Sequence, residues 1–356
     1  MSFKITLCIV WFLIFSGVQG QTISGNVLDE ITKEPLVGAF VYLDGTTYSA
    51  ETDVNGAFTL TVPQKLSAFL VVRYLGYDAV RLENPFSYTG KLKILLKPNS
   101  INLDEVVINK STFFSRKEML KVFRKEFLGK TKAGKDCIIL NEDDINLYYN
   151  TTINALEATA AVPLHIVNKR LQYDILFDLM EFKVKYNKKT LDDSFMRESF
   201  YAGTTFFTDI SHDKSVIDKR NKSYLGSPVH FLKALANKEL EKENYQLFAK
   251  GFKISQDNYM TVTDSADFKK VELLELPEAE RPKITGMALP KAAILKSSRY
   301  EILHNKKEQS FVIFRQGELF VDKDGLFWPI NELSFGGHMS GLKVGDMLPA
   351  DYKYSK

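Results

Sequence analysis

The residue types that most often carry chemistry are few in this chain, and their spacing is poor for it. The five histidines are His165, His212, His230, His304 and His338. A catalytic zinc site needs His and Glu at a short spacing plus a distant third ligand, so that one metal position stays open. The third residue after each histidine is Asn168, Ser215, Lys233, Lys307 or Gly341, never Glu, and no HExxH stretch occurs. There is no glycine-rich phosphate loop and no GxSxG elbow. A cysteine nucleophile would have to be Cys137 with a histidine brought to it by folding. Its place before Ile138-Ile139-Leu140 predicts a buried structural thiol instead.

Other polar groups have two readings each. The pairs Asp143-Asp144 and Asp192-Asp193 could suggest glycoside hydrolysis or calcium. Glycosidase acids are defined by separation in space, however, and aspartate favours turns, so solvated turns are expected. His230, in Pro228-Val229-His230-Phe231, falls on the first turn of a helix, where the positive helix end lowers a histidine pKa. The plainer reading makes it a partner for a strand carbonyl. Asn168-Lys169-Arg170 and Lys219-Arg220-Asn221-Lys222 read as basic turns that could grip an anionic glycan or phosphate, or as exposed loops. The sequence assigns no catalytic, cofactor-binding or metal-ligating residue.

The positioning elements are mostly strands. In Thr52-Asp53-Val54-Asn55-Gly56 the Asn-Gly pair suits a tight hairpin turn, and Asp53 can fold its carboxylate back on the backbone. After it, Phe58, Leu60 and Val62 alternate with Thr59 and Thr61, the mark of a half-buried strand. Further strands are expected at Ile23 to Leu28, from Val37 to Leu43 ending at Asp44-Gly45, at Phe69 to Tyr74, at Ala79 to Leu82, and at Leu92 to Leu96. Strands at this rhythm without a helix signal predict an all-β sandwich of about seven strands over residues 21–98.

Beyond a connector at residues 99–110, residues 111–356 read as a larger β-rich α+β domain. A helix is expected from Ser111, burying Met119, Leu120, Val122, Phe123 and Phe127 and ending at Gly129. Cys137 to Leu140 and Ile145 to Tyr149 are strand-like. Along Leu171 to Tyr186 the apolar face switches across Met180-Glu181, which predicts a bulge. Ser199 to Asp209 is an aromatic strand. Ser227-Pro228 caps a helix that buries Phe231, Leu232, Leu235, Ala236 and Leu240. Tyr245 to Phe248, Tyr300 to His304 and Ser310 to Arg315 are strands. A hairpin is expected around Asp322-Lys323-Asp324-Gly325, a loop over Glu272 to Pro290, and turns at Gly336-Gly337, Gly341 and Gly345.

At 356 residues the chain exceeds one ordinary core. Its 45% hydrophobic and 26% charged composition is globular, and a net charge of +3 offers no footprint for nucleic acid. Lys4, the apolar stretch Ile5 to Phe15 and Val18-Gln19-Gly20 read as a secretory signal over residues 1–20, leaving Gln21 first. Cys137 is then the only cysteine, so no intrachain disulfide can form. No later stretch is apolar enough for a transmembrane helix.

Ile23-Ser24-Gly25-Asn26-Val27, Pro35-Leu36-Val37-Gly38-Ala39, Gly45-Thr46, Thr52 to Phe58 and Leu75-Gly76-Tyr77 resemble the carboxypeptidase-regulatory-like domain. That resemblance implies a transthyretin-like sandwich at the mature N-terminus of an envelope protein of Bacteroidetes-type bacteria. It is similar to an accessory domain of carboxypeptidases, not their catalytic one, and brings no catalytic residues. Leu103-Asp104-Glu105-Val106-Val107-Ile108 resembles the segment joining this module to the plug of TonB-dependent transporters; a plain linker strand is the simpler reading. Phe127 to Thr131, Cys137 to Asn141, Asn168 to Asp174 and Tyr224 to Phe231 resemble secreted Bacteroidetes proteins with the same front module, which implies compartment and architecture only. Asp264-Ser265-Ala266 resembles the short O-glycosylation signal of these bacteria.

The expected function is therefore a non-catalytic envelope protein that binds a surface protein, an outer-membrane partner or a glycan. One alternative is a hydrolase whose acids and His230 converge in the larger domain. Another is an accessory of TonB-linked uptake that docks through Leu103 to Ile108.

Overall fold

The computed structural model describes residues 20–99, 113–274 and 298–355. The expected signal segment up to Gln19, the docking hexapeptide Leu103 to Ile108 and most of the proline-interrupted loop lie outside them. The described residues divide into two compact units: 20–43 with 48–99, and 44–47 with 113–274 and 298–355.

The first unit is a seven-stranded β-sandwich. Its strands are β1 (Gln21–Asp29), β2 (Phe40–Leu43), β3 (Ser49–Glu51), β4 (Ala57–Val62), β5 (Leu70–Arg73), β6 (Val80–Leu82) and β7 (Leu92–Leu96). One sheet runs β4-β1-β7 and the other β3-β2-β5-β6. Alternate residues Ile23, Val27, Phe58, Leu60, Val62, Ile94 and Leu96 meet Val41, Leu43, Leu70 and Val72 in the core between them. Burying such faces, at ~25 cal/mol per Å² of apolar surface, is what holds two small sheets together.

The Asn55-Gly56 turn is not a hairpin. β3 pairs with β2 while β4 pairs with β1, so the turn carries the chain from one sheet to the other. Its local chemistry is as expected: one Asp53 carboxylate oxygen accepts from Asn55 N at 2.8 Å and Ala57 N at 2.9 Å. Gly56 has φ +69°, and a Cβ there would lie 2.5 Å from the Val27 carbonyl. The buried Thr52 hydroxyl donates to Leu36 O at 2.5 Å and accepts from Ala39 N at 2.7 Å, which holds the preceding corner.

The second unit begins with α1 (Arg116–Phe127), closed by a capping box of Ser115 and Glu118, and a one-turn α2 (Lys132–Lys135). Strands β8 (Cys137–Ile139), β9 (Ile145–Asn150), β10 (Ala155–Ala160), β11 (Leu164–Asn168), β12 (Tyr173–Tyr186) and β13 (Met196–Asp209) form one sheet. β13 pairs with β12 along its length, with a register shift between Leu179 and Glu181 where the apolar face switches. Phe123 packs at a tilt against Phe182 and Phe127 meets Phe177 edge-on, seating α1 on the sheet.

Then come α3 (Val216–Tyr224), α4 (Pro228–Ala236), β14 (Tyr245–Ala249), β15 (Phe252–Ile254), β16 (Met260–Ser265), β17 (Phe268–Leu273), β18 (Ser298–His304), β19 (Glu308–Phe314), β20 (Glu318–Asp322), β21 (Phe327–Trp328), β22 (Leu333–Gly337) and a short α5 (His338–Gly341). They make a five-stranded sheet, β15-β14-β18-β19-β22, and a four-stranded one, β16-β17-β20-β21. α4 buries Phe231, Leu232, Leu235 and Ala236 in their common core, and Leu240 follows.

Two local expectations fail here. Gly336 and Gly337 sit in β22 and not in a turn, because the Phe311 ring of β19 occupies the space where a Gly336 Cβ would stand, 1.9 Å from Cζ. Lys219 to Lys222 is helical, within α3, since Val216, Arg220 and Tyr224 share its buried face.

Candidate functional site

Folding collects His230, Glu243, Tyr245, His304 and Glu308 into one polar cluster in the second unit, with the three rings buried and the two carboxylates part-exposed. Ser227 caps α4 by accepting from His230 N at 3.2 Å, which puts the imidazole on the first helical turn. Tyr245 opens β14, and its register partner on β18 is His304. Their side chains therefore stand side by side, ring centroids 4.4 Å apart. Glu308, at the start of β19, pairs in register with His304.

The hydrogen bonds define the protonation pattern. Gly226 N donates to His230 Nδ1 at 3.1 Å, and the Tyr245 hydroxyl oxygen lies 2.9 Å from the same nitrogen. Its Nε2 then carries the proton and donates to Glu243 Oε2 at 3.3 Å. His304 Nδ1 lies 2.6 Å from Glu308 Oε2, and His338 Nε2 lies 3.9 Å from the other oxygen of that carboxylate. Burial pushes the His230 pKa below its ordinary 6.5, the nearby His304 adds to this, and Glu243 opposes it. Burial also lifts the Tyr245 phenol well above 10, helped by nearby Tyr224, Glu308 and Glu243. Tyr224 stacks on Tyr354 and leans on the His230 ring, closing another side.

A His-Glu pair beside a tyrosine is the outfit of a general acid-base centre. Here the imidazoles are only 3% and 2% exposed, and the polar atoms of His230 spend their capacity on protein partners. A polar depression of about 370 Å³ opens alongside, lined by Glu241, Asn244, Gln246, Lys253, Asn305 and Lys306. Tyr245 also lines it yet is 1% exposed, so the cluster stays behind the phenol ring. Among the described residues no group of three or more His, Cys, Asp or Glu side chains is arranged to hold a metal ion.

The other singled-out residues do not join this cluster. His165 bonds Asp174 at 2.6 Å on the surface of the sheet, and His212 is exposed. Cys137 is half-buried and donates to Ala133 O at 3.3 Å; burial, with Asp346 and Asp136 nearby, pushes its thiol up to about 12. Asp143 and Asp144 lie in a short 3-10 turn, where Asp144 accepts from Asn141 at 3.0 Å. Asp192 caps another such turn through Ser194 N, and Asp193 pairs with Lys125 and Lys130. Asp264-Ser265-Ala266 closes the β16–β17 hairpin, with exposed Asp264 paired to Lys269.

Lys169 and Arg170 form a turn as expected, with Lys169 exposed, but Asn168 and Arg220 are buried. Asn168 is fully buried: its Oδ1 accepts from Arg170 N and Leu171 N, and its Nδ2 donates to Gly345 O at 2.8 Å. Arg220 is 5% exposed, pairs bidentately with Asp209 at 2.7 and 2.8 Å, and donates to Leu171 O and Gln172 O. Its guanidinium lies 3.8 Å from the centre of the Tyr173 ring. A helical spacing of Val216, Arg220 and Tyr224 is the signal that could have found it.

Residues 23–108 match the model of the CarboxypepD_reg-like domain. The seven-stranded sandwich is that module. The chain is also similar to the TonB-dependent receptor SusC of Bacteroides thetaiotaomicron, 31% identical over 108 residues. The matched stretch spans 30% of this chain and 10% of that receptor. No helix among the described residues is long and apolar enough to cross a membrane.

Proposed function

We propose that the protein works in the cell envelope as a non-catalytic binding component, with its sandwich as a recognition or spacing module beside TonB-linked outer-membrane uptake. The observation that carries this reading is the module itself, which matches the CarboxypepD_reg-like domain and shares 31% identity with a TonB-dependent receptor over 108 residues, 10% of that receptor. The leader-like start, Lys4 followed by Ile5 to Phe15, supports export. The burial of the His230 and His304 imidazoles supports a scaffold role for the second unit, since a hydrolytic centre needs an imidazole that substrate can reach.

The test expresses the full chain with its own leader in Bacteroides thetaiotaomicron. A mature N-terminus at Gln21, envelope fractionation and a zero-length cross-link to an outer-membrane receptor complex are expected. An uncleaved chain in the soluble cytoplasm would overturn the compartment, and turnover abolished by His230→Asn would overturn the non-catalytic role.

A further inference from the structure

β6 ends the four-stranded sheet of the sandwich and β7 ends the three-stranded one. Among the described residues no strand pairs with the outer side of either, and the gap is closed only at one end, where Asp78 N bonds Lys97 O and Asn99 N bonds Gly76 O. Between these edges runs a groove of about 340 Å³ whose walls include Val80, Leu82, Tyr88, Leu92 and Ile94. Its lining follows β7 residue by residue from Leu92 to Leu95, so the groove runs along a backbone edge. Tyr88 at its rim is 52% exposed. Lys91 and Lys93 are exposed on the same stretch, and neither forms an ion pair among the described residues.

We propose that this groove takes an extended peptide strand from a partner protein, one that alternates apolar and acidic side chains. An unpaired edge offers a row of N–H and C=O groups that only another strand can match in register. The period of two sends every second side chain of the incoming strand onto Val80, Leu82 and Leu92. The residues between them meet the Lys91 and Lys93 ammonium groups, which favours carboxylates. A second copy of this chain is a poor occupant, because pairing β7 with β7 sets these lysines against each other. Lysines on an edge repel indiscriminate pairing, and an acidic strand turns that repulsion into selection.

This deepens the recognition role proposed for the module, but it is tested on the purified full chain, independently of compartment. The probes are two capped heptapeptides, one alternating Glu and Val, the other Lys and Val, read by amide hydrogen exchange across β7. The Glu/Val peptide is expected to slow exchange there ~10-fold or more, and the Lys/Val peptide is not. The double variant Lys91→Glu/Lys93→Glu, at exposed positions that leave the core intact, is expected to reverse the preference. No protection by either peptide, equal protection by both, or a preference unmoved by the charge reversal overturns the proposal. So does self-association through this edge in place of peptide binding.

Discussion

Replacing Arg220 tests whether the second unit depends on a residue whose neighbours in sequence suggest an exposed basic turn. Arg220→Met keeps the apolar stem and removes the guanidinium. Leu171 O then loses its donor, which costs ~1 kcal/mol at the low end for a buried acceptor, whereas Gln172 O keeps Ile210 N at 3.1 Å. Loss of the cation over the Tyr173 ring costs ~1 kcal/mol more. Asp209, held well below the ordinary carboxylate range chiefly by hydrogen bonds from Arg220, is 45% exposed, so water takes over and its pairing is discounted. The expected loss is ~2 kcal/mol, equivalent to ~4–8 °C in the melting of a unit of this size. Calorimetry of the full chain reads it, with Lys222→Met on the exposed face of the same helix as the control, expected within ~0.5 kcal/mol. If Arg220→Met melts no lower than Lys222→Met, the buried-network account of α3 is wrong.

Three further outcomes follow from the cluster and the thiol. His230 is held neutral, its pKa lowered from 6.5, so its share of stability is complete above pH 6.5 and is lost as the pH falls below it, while the unfolded chain takes up the proton. Urea midpoints between pH 7.5 and 5 should fall in the native protein and fall less steeply in His230→Asn; equal slopes would refute this. Gly226→Ala places a Cβ 2.6 Å from Glu308 Oε2 and 3.0 Å from His304 Nδ1, whereas at Gly251, also at positive φ, nothing lies within 4 Å. The Glu308 carboxylate, the end of a flexible side chain, can swing aside at the cost of its bond to His304, so Gly226→Ala should destabilise by ~1 kcal/mol more than Gly251→Ala in the same urea titration, the excess reporting that lost bond and not backbone strain. Cys137, with its thiol raised to about 12, should react with iodoacetamide at pH 7.5 far more slowly in the folded chain than in urea. The expected ratio is ~100-fold or more, and near-equal rates would remove the case for an inert thiol.

Much of the architecture could be read from sequence because it rests on local rules. Period-two alternation at Phe58, Leu60 and Val62 and the change of face across Met180-Glu181 follow from side chains pointing to opposite sides of a strand. Ser227-Pro228 marks a helix start by its own backbone chemistry. What tertiary structure alone decided is which elements meet. Asn55-Gly56 makes the same turn whether it joins strands of one sheet or of two, so only pairing with β1 settled its role. Gly336 and Gly337 look like turn residues until the Phe311 ring fills the space above one of them. Arg220 reads as a surface charge until Asp209, Leu171 and Tyr173 surround it. The cluster of His230, Tyr245 and His304 depends on strand register and helix placement over some 75 residues of sequence; no local pattern carries such pairings, because they are selected by the burial of whole faces.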